Sequence, residues 1–158
     1  MSHAESKSRA TPASRHPVLH DGPPPEGFVD AVIAAGALAA WADSRVRAVE
    51  RVEMLVYLRR CGLSSLRRRD VMAVFDRRVR ELERNPPCAM RAAWSTVQHF
   101  AGSSLAWTVS RAAEHVAAAD GFMQESEWTA IRFVMTALGL PADSLEQRPA
   151  SVTQDGRN

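Results

Sequence analysis

Four carboxylates stand at matched spacing. Asp43 and Glu50 are seven residues apart, and so are Asp120 and Glu127; each aspartate ends an alanine-rich run and each glutamate opens a further apolar pattern. Acids pinned at the two ends of one turn present oxygen ligands, and four of them brought together would suit a hard divalent cation such as Ca²⁺, Mg²⁺ or Mn²⁺, with Zn²⁺ the remaining candidate. Without a cation or an arginine among them, they would repel and raise one another's pKa values. The same positions also have a structural use. An aspartate satisfies a turn, and a glutamate in the first turn of a helix is favoured by the helix dipole by about 0.3 to 1 kcal/mol. A reciprocal capping box wants Ser or Thr three residues before the glutamate, and those places hold Arg47 and Gln124. The stretch from Asp120 lacks the alternating acids of an EF-hand loop.

The two pairs belong to a longer correspondence. Residues 39–63 align without a gap on residues 116–140, at an offset of 77, so that Asp43 falls on Asp120, Val46 on Met123, Glu50 on Glu127, Met54 on Ile131 and Gly62 on Gly139. This reads as an internal duplication of one helix-turn-helix unit. Ser44 stands where the second copy has Gly121.

The elements that must position these acids all read as helices. Val29, Val32, Gly36 and Ala39 mark a face from about Phe28 to Ala42. Val49, Val52 and Val56, with Met54, Leu55 and Leu58, mark the next helix, ending at Cys61-Gly62. Ser65 is a candidate cap for a third, whose stripe is Met72, Phe75, Val79 and Leu82 and which Asn85-Pro86-Pro87 stops. A fourth carries Met90, Ala93, Trp94 and Val97, a fifth Val109, Ala112, Ala113 and Val116, and a sixth Trp128, Ile131, Val134, Met135 and Leu138. Strict alternation and hairpin signals are missing. The expected fold is therefore all-α, a compact bundle of about six or seven helices over 26–142. Flexible tails are expected at 1–25, where Pro23-Pro24-Pro25 bars a helix, and at 143–158.

A chain of 158 residues suits one domain. No apolar run approaches the ~20 residues that span a bilayer, and the N-terminus lacks a secretory layout, which together point to a soluble, cytoplasmic protein. Cys61 and Cys88 have no zinc or disulfide spacing and read as buried or partly buried thiols. Phosphate loops, nucleophile elbows and HExxH patterns are absent, so catalysis finds no support.

Net charge is +2, but Ser44 to Arg91 carries thirteen arginines against six acids. Arg67, Arg68, Arg69, Arg77, Arg78 and Arg80 make the third helix and its entry basic. That is either a solvated face paired to Asp76, Glu81 and Glu83, or a surface for an acidic partner, anionic headgroups or nucleic acid. Interleaved aromatics and DNA-reading motifs are missing, which leaves nucleic acid the least supported. Trp94, Trp107 and Trp128 fall in or near apolar stripes and read as core. His115, five residues before Asp120, reaches the acids only if the helix end unwinds.

The run Ala-Ala-Ala-Asp-Gly-x-Met-x-x-x-Glu at 117–127, followed by a helix ending Leu-Gly-Leu-Pro at 138–141, resembles the signature of the TerB tellurite-resistance family of bacterial proteins. The resemblance covers roughly 28–142, and the degraded copy at Ala40 to Glu50 fits that family's internal duplication. It implies a cytoplasmic, non-enzymatic all-α domain of about seven helices, associated with tellurite and with envelope or phage stress. It further implies metal chelation through acids, by position Asp43, Glu50, Asp120 and Glu127, and action beside membrane proteins of the Ter system. Ser44-Arg45 departs from the family's glycine-containing turn. Arg45 and Arg47 beside Asp43 could neutralise that copy without a metal, which makes Asp120 and Glu127 the better ligands. A similar domain occurs in membrane-anchored J-domain co-chaperones, but no His-Pro-Asp tripeptide stands here. The alternative is a pure protein-protein or membrane-surface interaction module, in which the acids only cap helices and the third helix carries the function.

Overall fold

The computed structural model describes residues 22–142. The expected tails lie outside the described residues, apart from 22–25. Six α-helices are present: α1 Phe28–Trp41, α2 Ala48–Arg60, α3 Arg68–Arg84, α4 Pro86–Gln98, α5 Ala106–Ala117 and α6 Glu125–Ala137, with a 3₁₀ turn, Ala118–Asp120, following α5. The described residues contain no strand, and the all-α bundle expected from the sequence is what forms.

α1 is the axis. Every residue from Ala31 to Ala40 is buried, and α2, α3, α4, α5 and α6 all pack on it, α5 most extensively. A helix that is apolar all round has to be enclosed, because no face of it can be left in water cheaply. The single small-residue face expected from the sequence is thus a whole buried cylinder. Close approach is built in at Gly36, where a Cβ would stand 2.6 Å from the Met54 sulfur of α2 and 3.2 Å from Val116 of α5.

α2 bears out the sequence expectation at Met54 and Leu58 but not at Val49 and Val52. Its buried residues are Glu50, Met54, Tyr57 and Leu58, whereas Val49 and Val52 are 46% and 50% exposed. Apolar residues lie on both sides of this helix, so periodicity alone does not choose between them. The buried capping glutamate described below turns the Met54 side inward. The same side carries the buried Tyr57, whose hydroxyl donates to the Thr108 carbonyl of α5 at 2.5 Å.

α3 starts at Arg68 with Arg67 as N-cap, so Ser65 is not the cap; Asp70 supplies the first-turn acid instead. Asn85 ends α3 and starts α4, its side chain accepting from the Cys88 amide at 3.4 Å with proline at the first helical position. α2 and α6 are each 13 residues long, and their bounds differ by the same 77 positions as the sequence correspondence. Trp107 is 43% exposed, not core, and Cys88 is exposed while Cys61 is buried, both free thiols.

Candidate functional site

The two acidic turns are built alike. After α1 the chain turns at Asp43, whose Oδ1 accepts from the Arg45 amide at 2.9 Å; at the end of the 3₁₀ turn, Asp120 Oδ1 accepts from the Phe122 amide at 3.0 Å. Both are Asx turns, the local bond that makes aspartate suit such corners. The next residue is left-handed in each, Ser44 with φ 61° and Gly121 with φ 85°.

Each turn then delivers the chain to a helix start closed by a glutamate. Glu50 Oε2 accepts from the Arg47 amide at 2.5 Å, and Glu127 Oε2 from the Gln124 amide at 2.6 Å. These are the carboxylate halves of a capping box, made without the Ser or Thr of the full motif. Both glutamates are 1% exposed. The structural use of all four acids is therefore realised, one oxygen of each being bonded to a local backbone amide.

One side chain joins the two turns. Arg47, the N-cap of α2, donates through Nη2 to Asp43 Oδ2 at 3.1 Å and through Nη1 to Asp120 Oδ2. The contacts are partly sheltered, the side chains of Asp43, Asp120 and Arg47 being 9%, 23% and 30% exposed. The sequence suggested that Arg45 and Arg47 would neutralise the first turn. Arg47 instead serves both, and Arg45 enters through its backbone amide. Arg47 aligns with Gln124, so a base present in one turn alone was the available signal. What the sequence does not convey is that the two turns face each other across it.

Glu50 registers the closeness of the other acids. Burial raises its carboxyl above the usual range; the Arg47 amide opposes this, Asp43 adds to it, the Arg47 guanidinium opposes, and Glu127 adds again. Glu127 Oε1 is buried with no hydrogen-bond partner.

As arranged, these side chains do not fit a divalent ion. Among the described residues no three of His, Cys, Asp and Glu form a group able to hold one. The aspartate oxygens left over from the turns are held by a guanidinium that already supplies positive charge. His115 is engaged elsewhere: its Nδ1 lies 3.3 Å from Glu53 Oε1 and 3.4 Å from Arg60 Nη1, and burial holds its pKa below the usual histidine value, with the Glu53 bond opposing.

The six basic residues singled out on the third helix do not share one face. Arg69, Arg77 and Arg80 lie opposite the buried Val71, Phe75, Val79 and Leu82. Arg78 is turned towards α4, its side chain 19% exposed and within 3.7 Å of Glu81. Arg68 borders α2, lining a groove with Val52, Leu55 and Met72, and Arg67 precedes the helix. Arg69 and Arg77 lie 3.8 Å and 4.0 Å from Asp70 and Glu81. The solvated, locally paired face is therefore realised for Arg69 and Arg77, while Arg67, Arg68 and Arg80 form no ion pair among the described residues.

Five helices packed around a sixth that is buried from Ala31 to Ala40, with two like acidic turns clasped by an arginine, define a small all-α domain whose distinctive chemistry lies in its turns. The family model described as "Tellurite resistance protein TerB" matches residues 29–148. The chain belongs to the TerB tellurite-resistance family, as the Asp120-to-Glu127 signature implied. No curated protein and no solved structure matches the chain.

Proposed function

We propose that this chain is a non-enzymatic, cytoplasmic stress-response module of the tellurite-resistance class that works by recruiting protein partners, including membrane-associated Ter-type proteins. The two acidic turns serve as its internal clasp. The observation that carries this reading is the Arg47 guanidinium between Asp43 and Asp120, which supplies from within the chain the positive charge that four acids demand. The two turns are, on this reading, copies of one unit, supported by the shared 77-residue offset of α2 and α6 and by matching Asx and capping bonds. No helix among the described residues is long and apolar enough to cross a membrane, so a membrane-embedded partner would be met at its surface. Recruitment falls to the exposed cations, Arg67, Arg68, Arg69, Arg77 and Arg80. Nucleic acid is not the proposed target.

The second reading is divalent metal binding at Asp120 and Glu127 with Asp43 and Glu50. The buried, unpartnered Glu127 Oε1 is the observation on its side, and it requires Arg47 to leave the centre. Thermal unfolding of chelator-stripped protein, titrated with Ca²⁺, Mg²⁺, Mn²⁺ and Zn²⁺, separates the two. A ligand that binds the folded state alone raises its stability by RT ln(1 + [L]/Kd). The clasp predicts no ion-specific rise in melting temperature. A rise with one ion, lost in an Asp120→Asn, Glu127→Gln variant, would establish the metal reading.

A further inference from the structure

We infer that the outward face of α2 is a docking site for an acidic amphipathic helix of a partner protein. The solvent side of this helix is aliphatic where a surface helix is ordinarily polar: Val49 and Val52 are 46% and 50% exposed, and Val56 is half-buried on the same side. The stripe spans two turns and lies beside a groove of about 340 Å³ between α2 and α3, lined by Ala48, Val52, Leu55 and Met72 with Arg51, Arg68 and Asp76 at its edges. Phe122, 79% exposed, stands at the same end of the molecule, two residues beyond the Asp120 that Arg47 holds at the start of α2.

Two observations say what covers this face. The first is internal. At the 77-residue offset, Val49, Val52 and Val56 correspond to Ser126, Thr129 and Phe133 of α6. There α4 lies alongside: Phe133 meets Trp94 edge-on at 5.0 Å, and Ser126, Thr129, Ala130 and Phe133 share a small apolar cavity with Met90 of α4 and Trp41. On the matching face of α6 Phe133 thus meets a helix while Ser126 and the exposed Thr129 border an open cavity beside it, and the face of α2 meets no helix among the described residues. The second is charge. Arg51 is paired with Asp76 at 2.9 Å and Arg60 lies 3.5 Å from Glu53, but Arg68, which lines the groove, and the exposed Arg59, one turn beyond Val56 on α2, form no ion pair among the described residues. A helix with aliphatic residues at i, i+3, i+4 and i+7 and carboxylates flanking them matches both features, with the apolar contacts supplying affinity and the charges orientation.

This site is separate from the outward arginines of α3 and rests on the reading of the chain as a recruitment module; a metal result at the acidic turns leaves it untouched. The probe is a synthetic 16-residue helix of leucines at those positions with glutamates between them, titrated into isotope-labelled full-length protein and followed by amide chemical shifts. Saturable shifts centred on Val49, Val52, Val56 and Arg68 are expected. A Val49→Ser, Val52→Ser variant should weaken binding by at least ~10-fold, with its melting temperature kept because both side chains are exposed, and a lysine version of the peptide should not bind. An Arg69→Ala, Arg77→Ala, Arg80→Ala variant should bind the peptide as the parent does, so loss of the α3 surface and loss of this one read differently. The inference is overturned if no saturable shift appears or if shifts centre on Arg69, Arg77 and Arg80, on the outward side of α3. It is equally overturned if the protein sediments as a dimer that Val52→Ser dissociates, if deleting 1–21 or 143–158 shifts the α2 amides of the free protein, or if phosphatidylserine vesicles bind with the same valine dependence and the peptide does not.

Discussion

At position 47 the chain places an arginine where the matching position, 124, holds glutamine. That difference decides the electrostatics of the acidic turns, because the guanidinium fork reaches one oxygen of each aspartate while the turn amides hold the other. Glu50 lies behind this clasp, fully buried. Its carboxyl is raised above its ordinary value of 4.5, chiefly by burial, so it favours the folded state most when protonated. That contribution is complete below pH 4.5 and is lost as pH rises through the raised value. Glu50→Gln removes this dependence while keeping an oxygen for the Arg47 amide. Urea unfolding at stepped pH should therefore show wild type gaining stability relative to Glu50→Gln as pH falls from 7 towards 4.5. The comparison must be between these two proteins, since His115, held low by burial, acts in the opposite direction in both. At the first turn Ser44 occupies the left-handed region that Gly121 occupies in the second. A Cβ there is strained, so Ser44→Gly is expected to stabilise the fold by about 0.5 to 1 kcal/mol in denaturant titration; a loss of stability would show that the serine side chain does more than tolerate the turn.

Among the elements, α1 and α2 show how legible a helix is and where legibility ends. The existence of all six helices followed from spacing and breakers, and Asn85-Pro86 behaved as a stop and a start together. The buried side of α2 did not follow, because Val49, Val52 and Val56 make as good a stripe as Met54, Tyr57 and Leu58. The deciding residue is a polar one, Glu50, which enters the interior bonded to the Arg47 amide. For α1 the sequence offered a stripe of small residues, and the structure uses all sides of it. Gly36 marks the tightest approach, to Met54 and Val116. Gly36→Ala gains helix propensity of up to about 1 kcal/mol, yet must displace two fully buried side chains in a close-packed interior. A net destabilisation of about 1 to 2 kcal/mol is expected, and an unchanged melting temperature would mean that Met54 repacks freely.

Taken as a whole molecule, the domain is closed at one end by the acidic turns and basic around its middle helices. The four acids were legible as a constellation because their spacing repeats. Their convergence on one arginine was not, since it depends on how α2 and the 3₁₀ turn meet across the bundle. Likewise the run of arginines was legible as charge, but helical geometry spreads Arg68, Arg78 and Arg80 to three different sides of α3. The claim on which this description turns is that Arg47 binds the two turns to each other. It is tested by urea unfolding of wild type, Arg47→Gln, Asp120→Asn and the double variant at neutral pH, in chelator. A coupling of about 1 to 2 kcal/mol between the two positions is expected for a partly sheltered, charge-assisted contact. Additive effects, with no coupling, would mean that Arg47 does not hold Asp120 in solution, and the acidic turns would then need another cation.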